Sequence, residues 1–283
     1  MPPGTGAGEV LAKVVFMEAT INGIRLAYDD CGSGPAVVLI HGFPLCRRMW
    51  RPQVEALTAA DYRVVTPDLR GFGDSEAPDG PCTMEIFADD VAGLLDYLGI
   101  ERAIVGGMSM GGYVLLNLLE RYPERIGAAL FLVTRAAADD EPGRMRRTAL
   151  AREVAEGRPA AVSGAFADVL FGPETAGTRP ELIAKVNDWM AAASPAGLAG
   201  GLLAMRDRRD YTGILPSFEL PALVIGAEQD RAIPAQESRV LAEKLAAAEL
   251  RLIPEAGHMV NLEQPEAFNR ALLEFLARIE DRL

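Results

Sequence analysis

Ala103-Ile104-Val105-Gly106-Gly107-Met108-Ser109-Met110-Gly111-Gly112-Tyr113-Val114-Leu115-Leu116 decides how this chain is read. Ala103-Ile104-Val105 is an apolar run suited to a strand, and Tyr113 to Glu120 carries helical spacing. Between them lies the pattern Gly107-x-Ser109-x-Gly111. A strand that turns at once into a helix leaves its turn residue strained, with the side chain raised clear of the backbone at the sheet edge. Gly107 and Gly111 stand where a Cβ would press the strand against the helix, and Gly106 and Gly112 add clearance. In that context Ser109 is a candidate nucleophile.

Outward from this turn, short β-branched runs alternate with helical stretches, the order of an α/β fold with a mostly parallel central sheet flanked by helices on both faces. Ile24 to Tyr28 alternates as a half-exposed strand would, whereas Ala36 to Ile40 is continuously apolar, as in a strand buried on both faces. Val64 to Thr66, Ala128 to Val133, Ala222 to Ile225 and Leu250 to Ile253 extend the strand series. Helices are predicted over Met84 to Leu98, Gly112 to Tyr122, Gln236 to Leu245 and Pro265 to Ile279. Residues 136–210 break the alternation: they offer no convincing strand and carry Pro or Gly breaks at Pro142-Gly143, Gly157, Gly172-Pro173 and Ser194-Pro195. They read as a helical cap inserted into a core of residues 16–135 and 211–283, after a flexible lead over residues 1–15.

Composition narrows the partners. Lys and Arg number 28 against 40 Asp and Glu, a net charge of −12, which disfavours a nucleic-acid backbone as ligand. No run approaches the roughly 20 apolar residues that cross a bilayer, so no membrane association is expected. Cys31, Cys46 and Cys82 lack ligand spacing, and their odd number suits a reducing cytoplasm. No metal site is expected.

A serine hydroxyl needs a general base, most often histidine, and the chain has just two, His41 and His258. His258 follows the strand Leu250 to Ile253 in a loop at the sheet's C-terminal edge, where ligands meet parallel α/β sheets, and is the candidate base. His41, in His41-Gly42-Phe43-Pro44, is read as structural. Its loop has another use: the backbone N–H groups of Phe43 and Met110 are placed to form an oxyanion hole. Asp230, after the strand Ala222 to Ile225, is the candidate acid that orients the imidazole, with Glu228 the main rival and Asp139 and Asp140 weaker ones. Met108 and Met259, beside nucleophile and base, and Phe166, Trp189 and Leu202 of the cap are candidate pocket residues. Arg47, Arg48 and Arg135 are read as solvated surface charges.

His41 to Pro44, Asp68-Leu69-Arg70-Gly71-Phe72-Gly73-Asp74-Ser75, Gly107 to Gly112, Gly226 to Asp230 and Gly257-His258, in that order, resemble the α/β-hydrolase superfamily over about residues 20 to 280. The turn Asp68 to Ser75 is a structural motif of that pattern. Epoxide hydrolases and haloalkane dehalogenases use aspartate where this chain has Ser109, so the resemblance points instead to the serine branch. Within it the chain is similar to carboxylesterases, 3-oxoadipate enol-lactonases and cofactor-free perhydrolases. The resemblance implies an enzyme cleaving a small-molecule ester or lactone through an acyl-enzyme, with no cofactor. A carbon-carbon bond hydrolase with the same triad, and a ligand-sensing signalling protein, are the alternatives.

Overall fold

The computed structural model describes residues 16–77 and 79–280; the lead expected over residues 1–15 lies outside them. One eight-stranded sheet runs in the order β1-β2-β4-β3-β5-β6-β7-β8. The strands are β1 (Phe16–Ile21), β2 (Ile24–Cys31), β3 (Ala36–Ile40), β4 (Arg63–Pro67), β5 (Ala103–Met108), β6 (Ile126–Leu132), β7 (Ala222–Ala227) and β8 (Ala248–Ile253). β2 pairs antiparallel with β1 and β4, and every pairing from β4 across to β8 is parallel.

The central strands are apolar because helices cover both faces. β5, β6 and β7 are buried along their whole length, and β3 from Val37 to Ile40. On one face α1 (Arg51–Thr58) and α11 (Pro265–Ile279) pack Val54, Leu57, Phe268, Leu272 and Phe275 into the core. On the other, α2 (Met84–Tyr97), α3 (Met110–Arg121) and α9 (Ala235–Lys244) contribute Val91, Leu95, Leu118 and Leu241. Burying a side chain of this size contributes about 1.5–3 kcal/mol, so these two layers dominate the stability. No helix of the described residues is long and apolar enough to cross a membrane.

Three elements lie outside the sequence reading, the short helix α10 (Val260–Glu263) among them. β1 is not among the expected strands, although Asn22 (φ 49°) and Gly23 (φ 79°) form the tight hairpin that an Asn-Gly pair favours. α1 is not among the expected helices either; it carries Pro52 in its first turn, where a missing N–H costs nothing.

Between β6 and β7 lie α4 (Glu141–Ala155), α5 (Ala160–Ala167), α6 (Pro173–Thr178), α7 (Pro180–Ala191) and α8 (Pro195–Asp207), with no strand among them. Asp140 caps α4 by accepting the Gly143 N–H at 2.9 Å, and Ser194 caps α8 by accepting that of Gly197 at 2.9 Å. The insertion closes on itself where Arg208 donates to Asp139 at 3.0 Å and to the Ala137 carbonyl at 2.8 Å. It is seated on the core at α8: the Ser194 hydroxyl donates to the Gly71 carbonyl at 2.8 Å, and a Cβ on Gly197 would stand 2.0 Å from that oxygen.

Candidate active site

β5 ends at Met108 and α3 begins at Met110, so Ser109 alone makes the turn, at φ 52° and ψ −113°. Such a conformation costs a non-glycine residue about 1–3 kcal/mol and persists only where the surroundings impose it. Here the Ser109 N–H donates to the Leu132 carbonyl at 3.0 Å, while its own carbonyl accepts the Gly112 N–H at 3.0 Å and the Thr134 hydroxyl at 2.8 Å. The flanking glycines are steric necessities. A Cβ on Gly107 would lie 2.1 Å from the Gly111 carbonyl oxygen, and one on Gly111 2.4 Å from that of Ile40. Ser109 is partly exposed between the fully buried Met108 and Met110.

Asp230 follows β7 and His258 follows β8, at the same sheet edge as the end of β5. One carboxylate oxygen of Asp230 accepts the N–H groups of Ala232 and Ile233 at 2.8 and 2.9 Å. The other accepts from Nδ1 of His258 at 2.7 Å. That contact sets the imidazole with its Nδ1 proton toward the acid and leaves Nε2 as the proton acceptor. Both side chains are almost wholly buried.

The rival acids are occupied or exposed. Glu228 is exposed, and Asp140 serves as the α4 cap. Asp139 is gripped by Arg135, Arg147 and Arg208; burial works to raise its carboxyl, but hydrogen bonds from Arg208 and Arg147 and their charges hold it at about 2.

His41 is buried, and both of its ring nitrogens are engaged by the backbone around it. Its Nε2 accepts the Leu69 N–H at 3.0 Å, which makes the ring neutral, and its Nδ1 donates to the Gly42 carbonyl at 2.9 Å. Burial pushes its pKa below the ordinary 6.5, outweighing the Asp68 charge and the Gly42 hydrogen bond that act the other way. A group whose basicity is depressed by folding binds its proton more readily in the unfolded chain. The stability that neutral His41 confers is therefore complete above about pH 6.5 and is lost as the pH falls below it. Nitrogen NMR should find His41 as the Nδ1–H tautomer at pH 7, with a protonation midpoint below 6.5; a midpoint at or above that value contradicts this account.

The loop His41 to Pro44 comes close to Ser109: a Cβ on Gly42 would stand 3.4 Å from the Cβ of Ser109. Phe43 packs edge-on to Phe72 at 5.8 Å, Phe72 packs on His41 at 5.5 Å, and Phe166 of α5 lies 5.5 Å from Phe43. An aromatic ladder thus runs from the insertion to the loop that carries the Phe43 N–H. Met110 opens α3, where a helix leaves its first N–H groups without intrahelical acceptors.

The remaining expected pocket residues are dispersed. Met108 and Met259 are fully buried in one core cluster, and Leu202 is fully buried in the other, with Phe43. Trp189 lines a cleft of about 220 Å³ with Arg47, Arg48, Arg51 and Lys185. Two of the surface-charge readings are corrected: Arg47 is no solvated charge but is buried, pairing with Asp29 at 3.1 Å, with Asp74 at 2.9 Å and with the fully buried Asp68. Asp68 also accepts the N–H groups of Arg47 and Asp74, so the turn after β4 folds around a satisfied carboxylate. Arg135 is likewise largely covered, against Asp139. Thr134, whose hydroxyl holds the Ser109 carbonyl, carries no signal in the sequence beyond its place after β6.

A family model for the alpha/beta hydrolase fold matches residues 35–265. The chain is 36% identical to a thermophilic esterase from Thermogutta terrifontis, described with malate bound, with a TM-score of 0.90 over 94% of this chain and 99% of that one. It is 30% identical to 3-oxoadipate enol-lactonase 2 of Acinetobacter baylyi, covering 92% of this chain and 96% of the lactonase. A bromoperoxidase from Bacillus anthracis is 30% identical, with a TM-score of 0.82 over 93% of this chain and 100% of that one.

Proposed function

The chain belongs to the alpha/beta hydrolase fold family, and we propose that it is a serine hydrolase cleaving a carboxylic ester or lactone through an acyl-enzyme. The observation that carries the reading is the pairing of a strained Ser109 at the end of β5 with a buried Asp230–His258 pair on the same sheet edge. In this reading Nε2 of His258 takes the Ser109 proton as the oxygen attacks the acyl carbon. The N–H groups of Phe43 and Met110 hold the resulting oxyanion, one such donor being worth about a hundredfold or more in rate. Collapse of the tetrahedral species expels the alcohol, which leaves with the proton from His258; water then attacks the acyl-enzyme with His258 again as base, and the second collapse breaks the Ser109–acyl bond, releasing the acid as His258 returns the proton to the Ser109 oxygen. Asp230 holds the imidazole in one tautomer throughout.

The insertion α4–α8 acts as the cap in this proposal, with Phe166 over the oxyanion loop as part of the acyl pocket. The esterase and lactonase relatives support both ester and lactone as substrates. Likeness to the bromoperoxidase fits the same acyl-enzyme, with hydrogen peroxide replacing water to give a peracid.

A pre-steady-state burst tests the proposal. Mixing the protein with p-nitrophenyl butyrate should release about one p-nitrophenol per chain before steady turnover. A fluorophosphonate should add to Ser109, as located by peptide mass. No burst and no label on that peptide would discard the acyl-enzyme.

A further inference from the structure

Glu263, the last residue of α10 (Val260–Glu263), lies five residues beyond His258 and is buried, yet the proposed chemistry does not use it. One of its carboxylate oxygens accepts the N–H of Gly257, immediately before His258, at 2.9 Å. The other accepts the N–H of Gly172, immediately before α6 of the insertion, at 2.8 Å. The two backbones are in direct contact, since a Cβ on Gly257 would stand 2.3 Å from the Gly172 nitrogen and 2.5 Å from the Phe171 carbonyl carbon.

The seam continues on both sides. The Met259 N–H donates to the Leu170 carbonyl at 3.0 Å. Arg179, at the start of α7, donates to the Leu262 and Glu263 carbonyls at 3.1 Å each. Burial raises the Glu263 carboxyl, and the N–H groups of Gly172, Gly257 and Met259 and the Thr175 hydroxyl pull the other way.

Two backbone N–H groups presented together require two acceptors and no donor, which a carboxylate supplies and an amide does not. A buried carboxylate is costly unless satisfied, so removing Gly172 from the seam leaves an oxygen short of partners and loosens the grip on Gly257. We propose that Glu263 is a positioning residue that makes the seating of the helical insertion and the placement of His258 one event. The proposal rests on His258 being the general base. The imidazole is held for proton transfer when α6 is down on the histidine loop, and it is freed as the insertion lifts.

The test uses the full chain and Glu263→Gln. With p-nitrophenyl butyrate, kcat should fall about tenfold to a hundredfold with KM nearly unchanged, as expected when a reacting group is displaced by about an ångström. Hydrogen exchange should show the Gly172 and Gly257 amides losing protection together, and the downfield Nδ1 proton of His258 should broaden. In the wild type those two amides should show one common protection factor, each rate being divided by its intrinsic value, a measurement that needs no variant. Unequal protection factors would overturn the proposal, as would an unchanged kcat, or a kcat loss with both amides protected as before. If kcat is unchanged in Glu263→Gln but abolished in Ser109→Ala, the positioning role fails and the hydrolase reading stands. If Ser109→Ala turns over like the wild type, both fall.

Discussion

Ser109→Ala is expected to lose turnover of p-nitrophenyl acetate and butyrate by about 10⁴-fold or more, with the melting temperature nearly unchanged. The methyl group fits wherever the hydroxymethyl fits, so what is removed is the attacking oxygen and not a packing element. The residual rate should come from the oxyanion donors and substrate binding alone. Ser109→Gly sharpens the test. It is equally inactive by the same argument, yet relief of the φ 52° conformation should make it more stable than the wild type by about 1 kcal/mol. Activity lost and stability gained at one position would mark strain held for function. Wild-type rates in either variant would remove Ser109 from the chemistry.

Asp230→Asn should reduce kcat by about 10⁴-fold while leaving KM close to its wild-type value. The asparagine side chain can still accept the Ala232 and Ile233 N–H groups through its oxygen, which keeps the loop folded. Its amide then turns a donor toward Nδ1 of His258, and the ring must present the opposite tautomer, with a proton on the nitrogen that should accept from Ser109. Glu228→Gln, at an exposed site, should change kcat by no more than about twofold. Equal damage from the two substitutions would move the acid from Asp230 to Glu228.

Much of the fold and of the candidate site is legible in the amino-acid sequence because it is written in local patterns. Ala36 to Ile40 is a strand with the bounds its apolar run suggests, and Pro265 opens α11 where a proline at a first turn belongs. His258 can be picked as candidate base since only one other histidine competes. β1 escapes such a reading because its alternation is weak and its outer face exposed, and its one clear signal is the Asn22-Gly23 turn. Arg47 escapes it because charge on a side chain says nothing of its partners: Asp29, Asp68 and Asp74 come from β2 and the turn after β4.

The parallel sheet, the serine turn and the candidates for nucleophile and base are legible in the chain's local order. They depend on periodicity and on glycine's missing Cβ, which act within a few residues along the chain, and on the scarcity of histidine in the sequence as a whole. Which carboxylate meets His258 is a matter of packing, with Asp230 buried at 2.7 Å while Glu228, two residues away, is exposed to solvent. Packing also brings Glu263 between the insertion and the histidine loop, and lays Phe166 on Phe43. Hydrogen bonds and ring contacts of this kind join residues far apart in the chain, 91 positions separating Gly172 from Glu263. Their formation depends on how whole layers pack, because a buried polar group takes whichever partner the closed core brings within about 3 Å.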